Sequence, residues 1–240
     1  MKYFVITDNR ALYLRFKDLL ENKNILNSFD FYCSPKNKQL ISHGLESIDI
    51  KDCYNDFINR YSIGFSIHSK QMFPKVLVES IPCINVHPGY NPYNRGWYPQ
   101  VFAIINNEKI GATLHFMDAE LDNGKIIDRV LVEHKLSDTS ESLYFRILDA
   151  EINLLEKNID NILDFTAASY DPEFKGKLYL KKHFEDLCQI SLEKEGSFLD
   201  FFNLLRATSF GNYDNSYIID PENQKKIFFK LVIKDDSDQT

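Results

Sequence analysis

Short apolar runs and amphipathic stretches alternate along the first two thirds of the chain. Tyr3–Thr7 is aromatic and β-branched throughout and predicts a strand, and Asp8 and Asn9 then supply cap chemistry for a helix over residues 10–20. The alternation continues with strands at 29–33 and 63–67, the second ending at His68, and a helix over 52–60 between them. A short helix over 73–79, opened by Pro74 at its first position, leads into a strand that ends at Asn85, Val86 and His87. A helix over 99–106 follows, then a strand over 109–117 in which Ile110, Ala112, Leu114 and Phe116 alternate with Gly111, Thr113, His115 and Met117. Residues 118–124 form a turn-rich acidic loop, and 126–134 another strand.

Ser140 and Glu141 open a long helix whose Leu143, Phe145, Ile147, Leu148, Ile152, Leu155, Ile159 and Ile162 hold helical spacing and are expected on a core face. From Phe165 the pattern loosens into loop-like and amphipathic segments as far as Arg206. Two β-like runs, 213–220 and 226–233, are joined by residues 221–224 and predict a terminal hairpin. A lone hairpin is marginally stable, so this one is expected to pack on the main domain or on a second subunit. The polar tail from Lys234 is expected to fray.

Strands separated by helices imply an α/β fold, a Rossmann-like, mostly parallel sheet flanked by helices, with a small C-terminal helix plus β-hairpin appendage. The expected division is a catalytic domain over 1–165 and an extension over 166–240. The first βα turn lacks G-x-G-x-x-G, which excludes the dinucleotide fingerprint. Ligands of such sheets sit beyond the carboxyl ends of the strands, where His68, Asn85 and His87 fall.

Composition narrows the class. Of 240 residues 44% are hydrophobic and 26% charged, as in a globular domain, and the net charge of −7 without a basic cluster argues against a nucleic-acid surface. Four scattered cysteines without C-x-x-C suit reduced thiols and a cytoplasmic setting. The apolar run at the N-terminus is too short for a signal peptide, and no stretch approaches the roughly 18 apolar residues of a membrane span.

The chemistry concentrates in residues 83–97. Asn85 and His87 stand two apart on one strand, so both side chains share a face, and Pro88, Gly89, Pro92 and Gly96 then force a loop carrying Tyr93, Arg95 and Trp97. An imidazole beside a carboxylate is held in one orientation and stabilised when protonated, and an amide can donate to a developing oxyanion; together they suit acyl transfer. Asp118, Glu120 and Asp122 all qualify as the carboxylate on these grounds. A zinc-type site from His68, His87, His115 and Asp122 lacks H-E-x-x-H spacing or a Cys pair.

The ordered motifs Asn85-x-His87-Pro-Gly, Asn94-Arg95-Gly96, Gly111-Ala-Thr-x-His115-x-Met117 and Leu121-Asp122-x-Gly124-x-Ile126-Ile127 resemble the signature of the folate-dependent formyltransferases over residues 63–163. The resemblance implies Asn85, His87 and Asp122 as catalytic trio, N10-formyltetrahydrofolate as formyl donor and no metal. By position it implies Phe65, Ile67, Met72, Ile81, Cys83, Ala119 and Leu121 near the pterin. Residues 93–100, Leu205-Arg206-Ala207-Thr208 and the terminal hairpin further resemble the sugar N-formyltransferase branch. That branch implies a dTDP-linked amino-dideoxy sugar as acceptor, a place in surface-polysaccharide synthesis and a homodimer formed through the hairpin. The expected acceptor is dTDP-4-amino-4,6-dideoxyglucose, with a dTDP-3-amino sugar as alternative. Tyr93, Trp97 and Tyr98 are expected to stack on thymine or pack on the 6-deoxy methyl, and Arg95 or Lys75 to pair with the pyrophosphate. A methionyl-tRNA formyltransferase is disfavoured by the short acidic C-terminal part, and a catalytically silent sugar-nucleotide-binding protein by the intact trio.

Overall fold

The computed structural model describes residues 1–234; of the tail expected to fray, 235–240 lie outside the described residues. The strands are β1 (Tyr3–Thr7), β2 (Phe29–Cys33), β3 (Glu46–Ser47), β4 (Ile63–Ile67), β5 (Cys83–His87), β6 (Arg95–Gly96), β7 (Gly111–Phe116), β8 (Ile126–Leu131), β9 (Leu178–Tyr179), β10 (Ser216–Ile219) and β11 (Lys226–Phe229). The helices are α1 (Arg10–Asn22), α2 (Lys38–Ser42), α3 (Ile50–Arg60), α4 (Lys75–Ser80), α5 (Pro99–Asn106), α6 (Ser140–Leu163), α7 (Lys181–Cys188) and α8 (Phe198–Thr208).

Seven strands form one sheet in the order β3-β2-β1-β4-β5-β7-β8. The first five are parallel, and β7 and β8 add antiparallel at the edge. The chain winds outward from β1 to β3 and returns to place β4 on the other side of β1, which makes the β1–β4 crevice the switch point of the sheet.

Two apolar layers cover the sheet. On one face α1, α5 and α6 bury Leu12, Phe16, Ile104, Leu143, Ile147 and Leu155 against Val5, Phe65, Ile67 and Val86. On the other, α3 and α4 bury Ile50, Phe57 and Leu77 against Phe4, Ile6 and Cys83. Successive residues of β1 are buried on opposite faces, which is why its sequence is apolar throughout.

Polar residues set the helix starts. Asn9 and Asp49 cap α1 and α3 with their side-chain oxygens, and Thr139 and Ser142 cap α6 reciprocally. Pro74 stands one position earlier than expected: it is extended (φ −57°, ψ 141°) and occupies the cap, so that helix starts at Lys75. The strand expected over 126–134 stops at Leu131, and the hairpin strands shorten to β10 and β11. The short α2 and β3, and the pairing of β6 with β9, were not foreseen, because two- to five-residue elements leave no periodicity to read.

Beyond α6 the chain runs back as a strap across the loop that follows β5. β9 pairs with β6, while Arg129 from β8 lies over the Tyr90 ring (4.4 Å) and donates to the Asn91 carbonyl and to Glu173. The α8 end is fixed by Arg206, nearly fully buried, which donates to the carbonyls of Lys135 (2.9 Å) and Asp138 (3.0 Å). Among the described residues no helix is long and apolar enough to cross a membrane.

Candidate active site

Asn85 and His87 leave β5 on the same face, and the antiparallel partner β7 sets His115 directly opposite Asn85. Asp122 reaches this pair from the loop after β7. Its backbone is left-handed (φ 49°), and the loop is clamped on both sides of it. Arg95 donates to the Leu121 carbonyl through Nε (3.1 Å) and Nη2 (2.6 Å), and Asn91 Nδ2 donates to the Asp122 carbonyl (3.2 Å). The carboxylate is thereby set among four polar neighbours, 7% exposed.

Asn85 Nδ2 donates to Asp122 Oδ1 at 2.8 Å, and the Gly96 amide donates to Oδ2 at 2.9 Å. His87 Nδ1 lies 3.5 Å from Oδ2, and His115 Nε2 3.5 Å from Oδ1. His115 Nδ1 donates to the Phe116 carbonyl (2.8 Å), which leaves its Nε2 lone pair to accept the second Asn85 N–H at 3.2 Å. Both amide hydrogens of Asn85 thus face acceptors, and turning the amide over would press its oxygen against the carboxylate.

Burial alone raises a carboxyl pKa, but the His87 ring facing Oδ2 and the Gly96 N–H that donates to it outweigh this. The Asp122 carboxyl is held well below the usual range and is ionised at neutral pH. Burial dominates at His87 in the other direction: the Asp122 charge only partly offsets it, and the pKa is pushed down to about 4. His87 is therefore neutral at rest, with Nδ1 toward the carboxylate. Its Nε2 is buried and has no hydrogen-bond partner among the described residues. The Gly89 backbone passes so close to this atom that a Cβ there would sit 2.4 Å from it.

At rest His87 is a neutral ring, and the protonated form expected to face the oxyanion arises only during reaction. Both N–H groups of Asn85, expected to donate to the oxyanion, are engaged here with Asp122 and His115. Arg95, expected on pyrophosphate, is 2% exposed and uses its donors on the Leu121 and Gly176 carbonyls, so it holds the loop. Lys75, on the exposed first turn of α4, pairs with Glu79 at 3.5 Å.

Among the residues expected near the pterin, Phe65 and Ile67 are fully buried among Phe16, Phe29 and other core side chains and present no surface to a cofactor. Cys83 is likewise buried, its thiol pushed up to about 12 by burial. Met72 and Ala119 are exposed and Ile81 and Leu121 half-buried.

The aromatic loop is packed by the strap. Tyr93 meets Phe174 edge-on at 5.2 Å, Tyr98 lies 4.3 Å from Phe184, and the Trp97 amide donates to the Tyr179 carbonyl (2.9 Å). His115, named only within a zinc-type set, and the Gly96 N–H, not named at all, complete the site. The alternation of β7 was the available signal for His115, whereas a backbone amide leaves none. Among the described residues no group of three or more His, Cys, Asp or Glu is arranged to hold a metal ion.

A buried base with a free lone pair, oriented by an ionised carboxylate that an amide and a backbone N–H hold, is suited to moving a proton off a nucleophile during acyl transfer. Comparison with known proteins points the same way. Residues 69–159 match the family described as "Formyl transferase", and residues 183–235 match "N-formyltransferase dimerization C-terminal domain". A protein of Mycobacterium tuberculosis named dTDP-4-amino-4,6-dideoxyglucose formyltransferase is 36% identical over 234 residues, covering 98% of this chain and 97% of its own. The crystal structure of a 4-N formyltransferase from Francisella tularensis superposes with a TM-score of 0.93 at 40% identity, over 98% of each chain. A sugar N-formyltransferase from Shewanella gives 0.93 at 35% identity, again over 98% of each chain.

Proposed function

The chain belongs to the formyltransferase family and is an N-formyltransferase, and from that we propose that it moves the formyl group of N10-formyltetrahydrofolate onto the C4 amine of dTDP-4-amino-4,6-dideoxyglucose. One observation carries the choice of acceptor. The relative named for that substrate aligns end to end with this chain, including the C-terminal part that a different acceptor class would replace. A C3 amine is the alternative and is not favoured.

In this reading Asn85, His87 and Asp122 are the catalytic residues. The acceptor amine attacks the formyl carbon, and its N–C bond forms as the carbonyl π electrons move to oxygen. His87 Nε2 takes the amine proton. The resulting imidazolium faces the Asp122 carboxylate across 3.5 Å and returns the proton to the folate N10 as the old N–C bond breaks. Protonating His87 at pH 7 against a pKa of about 4 costs about 4 kcal/mol, so the charge develops only while the oxyanion is there to share it. Asn85 aligns the incoming amine through its carbonyl oxygen and keeps Asp122 and His115 in place. Met72, Ile81, Ala119 and Leu121 are retained as pterin contacts, and Tyr93, Trp97 and Tyr98 as the wall on the acceptor side.

Residues 1–165 carry the chemistry in this reading, and 166–240 the contact of a homodimer. The C-terminal match and the exposed Phe198, Leu199, Ile227 and Phe228 support the second part. The reading places the enzyme in the cytoplasm, in synthesis of a formamido sugar for surface polysaccharide. Its test is direct: purified protein, N10-formyltetrahydrofolate and the dTDP-4-amino sugar must yield a product heavier by one formyl group, with tetrahydrofolate released. No product, with donor and acceptor both intact, rejects it.

A further inference from the structure

The strap between α6 and α7 passes over the loop of Arg95, Gly96 and Trp97, and its strand β9 is in register with β6, Arg95 opposite Leu178 and Gly96 opposite Tyr179. The Arg95 amide donates to the Lys177 carbonyl (3.1 Å) and the Trp97 amide to the Tyr179 carbonyl (2.9 Å). Along an extended chain successive N–H groups point to opposite sides, so with residues 95 and 97 bound to the strap the N–H between them is turned away from it. That is the Gly96 N–H, which donates to Asp122 Oδ2 at 2.9 Å. The pairing of the strap and the aim of this donor are one geometric fact.

Two glycines let the backbones meet this closely. Gly96 has a φ of 92°, and a Cβ on it would lie 2.2 Å from the Tyr179 carbonyl oxygen. A Cβ on Gly176 would lie 1.5 Å from the Pro92 carbonyl oxygen. Arg95 joins both sides of the junction: Nη1 donates to the Gly176 carbonyl of the strap (3.4 Å), while Nε and Nη2 hold the Leu121 carbonyl beside Asp122. Lys175 pairs with Glu120 at 2.7 Å across the same junction, but both groups are exposed and the pair adds little.

Tyr179 fixes the strap to the main domain. It is buried, its ring stacks on Phe102 of α5 with centroids 3.7 Å apart and planes 10° apart, and its hydroxyl accepts from Asn106 Nδ2 at 2.7 Å. The neighbours of Phe102 in α5, Val101, Ala103 and Ile104, are buried in the core that also holds Ile84 and Val86 of β5. The strap is therefore registered against the same core that carries Asn85 and His87.

We propose that β9, anchored by Tyr179, positions the catalytic carboxylate: its pairing with β6 aims the Gly96 N–H at Asp122, which makes Tyr179 a positioning residue for formyl transfer. The chain beyond residue 165 then serves the chemistry as well as the subunit contact. This rests on the reading of Asp122 as the catalytic carboxylate.

The test is a double-mutant cycle in single-turnover formyl transfer with donor and acceptor saturating. Tyr179→Ala should slow transfer about 10-fold or more, the loss of one hydrogen bond to a charged group, with the dissociation constant of the donor unchanged. In the Asp122→Asn background the same substitution should cost less than about 3-fold, because no charge is left to aim at. Tyr179→Phe keeps the stacked ring and gives up only a bond to the exposed Asn106, so it should restore the rate to within about 3-fold of wild type. If Tyr179→Ala does not fold, Gly176→Ala displaces the strap from the Pro92 carbonyl and should repeat the pattern. A wild-type rate in the strap variant, or a loss equally large in both backgrounds, overturns the proposal while leaving the reading of Asp122 standing. An Asp122→Asn enzyme as fast as wild type overturns both.

Discussion

Replacing Asp122 by Asn isolates the charge that orients His87, because the side chain keeps its shape. Asp122 Oδ2 lies 3.5 Å from His87 Nδ1, and at the effective dielectric of about 20 suited to such sites a unit pair at that distance is worth about 5 kcal/mol. That is an upper bound, since the amide dipole keeps part of the interaction. A fall in turnover of about 100- to 1000-fold is expected, at roughly 1.4 kcal/mol per decade. The substitution also costs stability. Asp122 accepts from Asn85 at 2.8 Å and from Gly96 at 2.9 Å, so the new amide must point its NH2 at one of these donors, which costs about 1–3 kcal/mol. The assay is single-turnover formyl transfer under saturating donor and acceptor, alongside donor affinity and a urea melt. A folded variant that binds donor normally and keeps its rate within about 10-fold of wild type would refute the charge argument.

Three further expectations follow from the geometry. Gly89→Ala puts a methyl where a Cβ lies 2.4 Å from His87 Nε2, so turnover should collapse while far-ultraviolet circular dichroism stays native; a fully active variant contradicts the placement of that nitrogen as the working base. His87 has its folded pKa pushed to about 4 from an ordinary 6.5, so the unfolded chain binds the extra proton between these values. Its contribution to stability is full above about pH 6.5 and is lost as pH falls toward 4, by about 3 kcal/mol, and His87→Gln should flatten that part of the urea-stability profile. Phe198→Glu with Leu199→Glu should turn a dimer into a monomer in light scattering without unfolding it; an unchanged mass excludes that face as the contact.

Strand and helix order were legible because β1 and β4 are buried on both faces and each long helix on one, so apolar runs and helical spacing mark them directly. Asn85 and His87 were legible for the same reason, two apart on β5. Asp122 was one of three acids until the resemblance chose it, because its place depends on a left-handed turn and on Arg95 clamping the Leu121 carbonyl from another segment. Arg95 shows the limit most clearly. A cation in a loop reads as a phosphate ligand, and only the fold reveals that backbone carbonyls occupy it. Phe65 and Ile67 fail as pterin contacts for a similar reason: which side of a doubly buried strand meets the core and which the ligand is decided by helices distant in sequence.

Transfer of the formyl group to the C4 amine rather than the C3 amine is open to direct measurement. The most direct measurement compares kcat/KM for dTDP-4-amino-4,6-dideoxyglucose and its 3-amino isomer in parallel reactions with N10-formyltetrahydrofolate, the products identified by mass and by the position of the formamide proton in NMR spectra. A formamide at C4 and a preference of at least about 100-fold for the 4-amino sugar are expected, since misplacing the amine by about an ångström costs that much. Equal rates, or product formed only at C3, would contradict it.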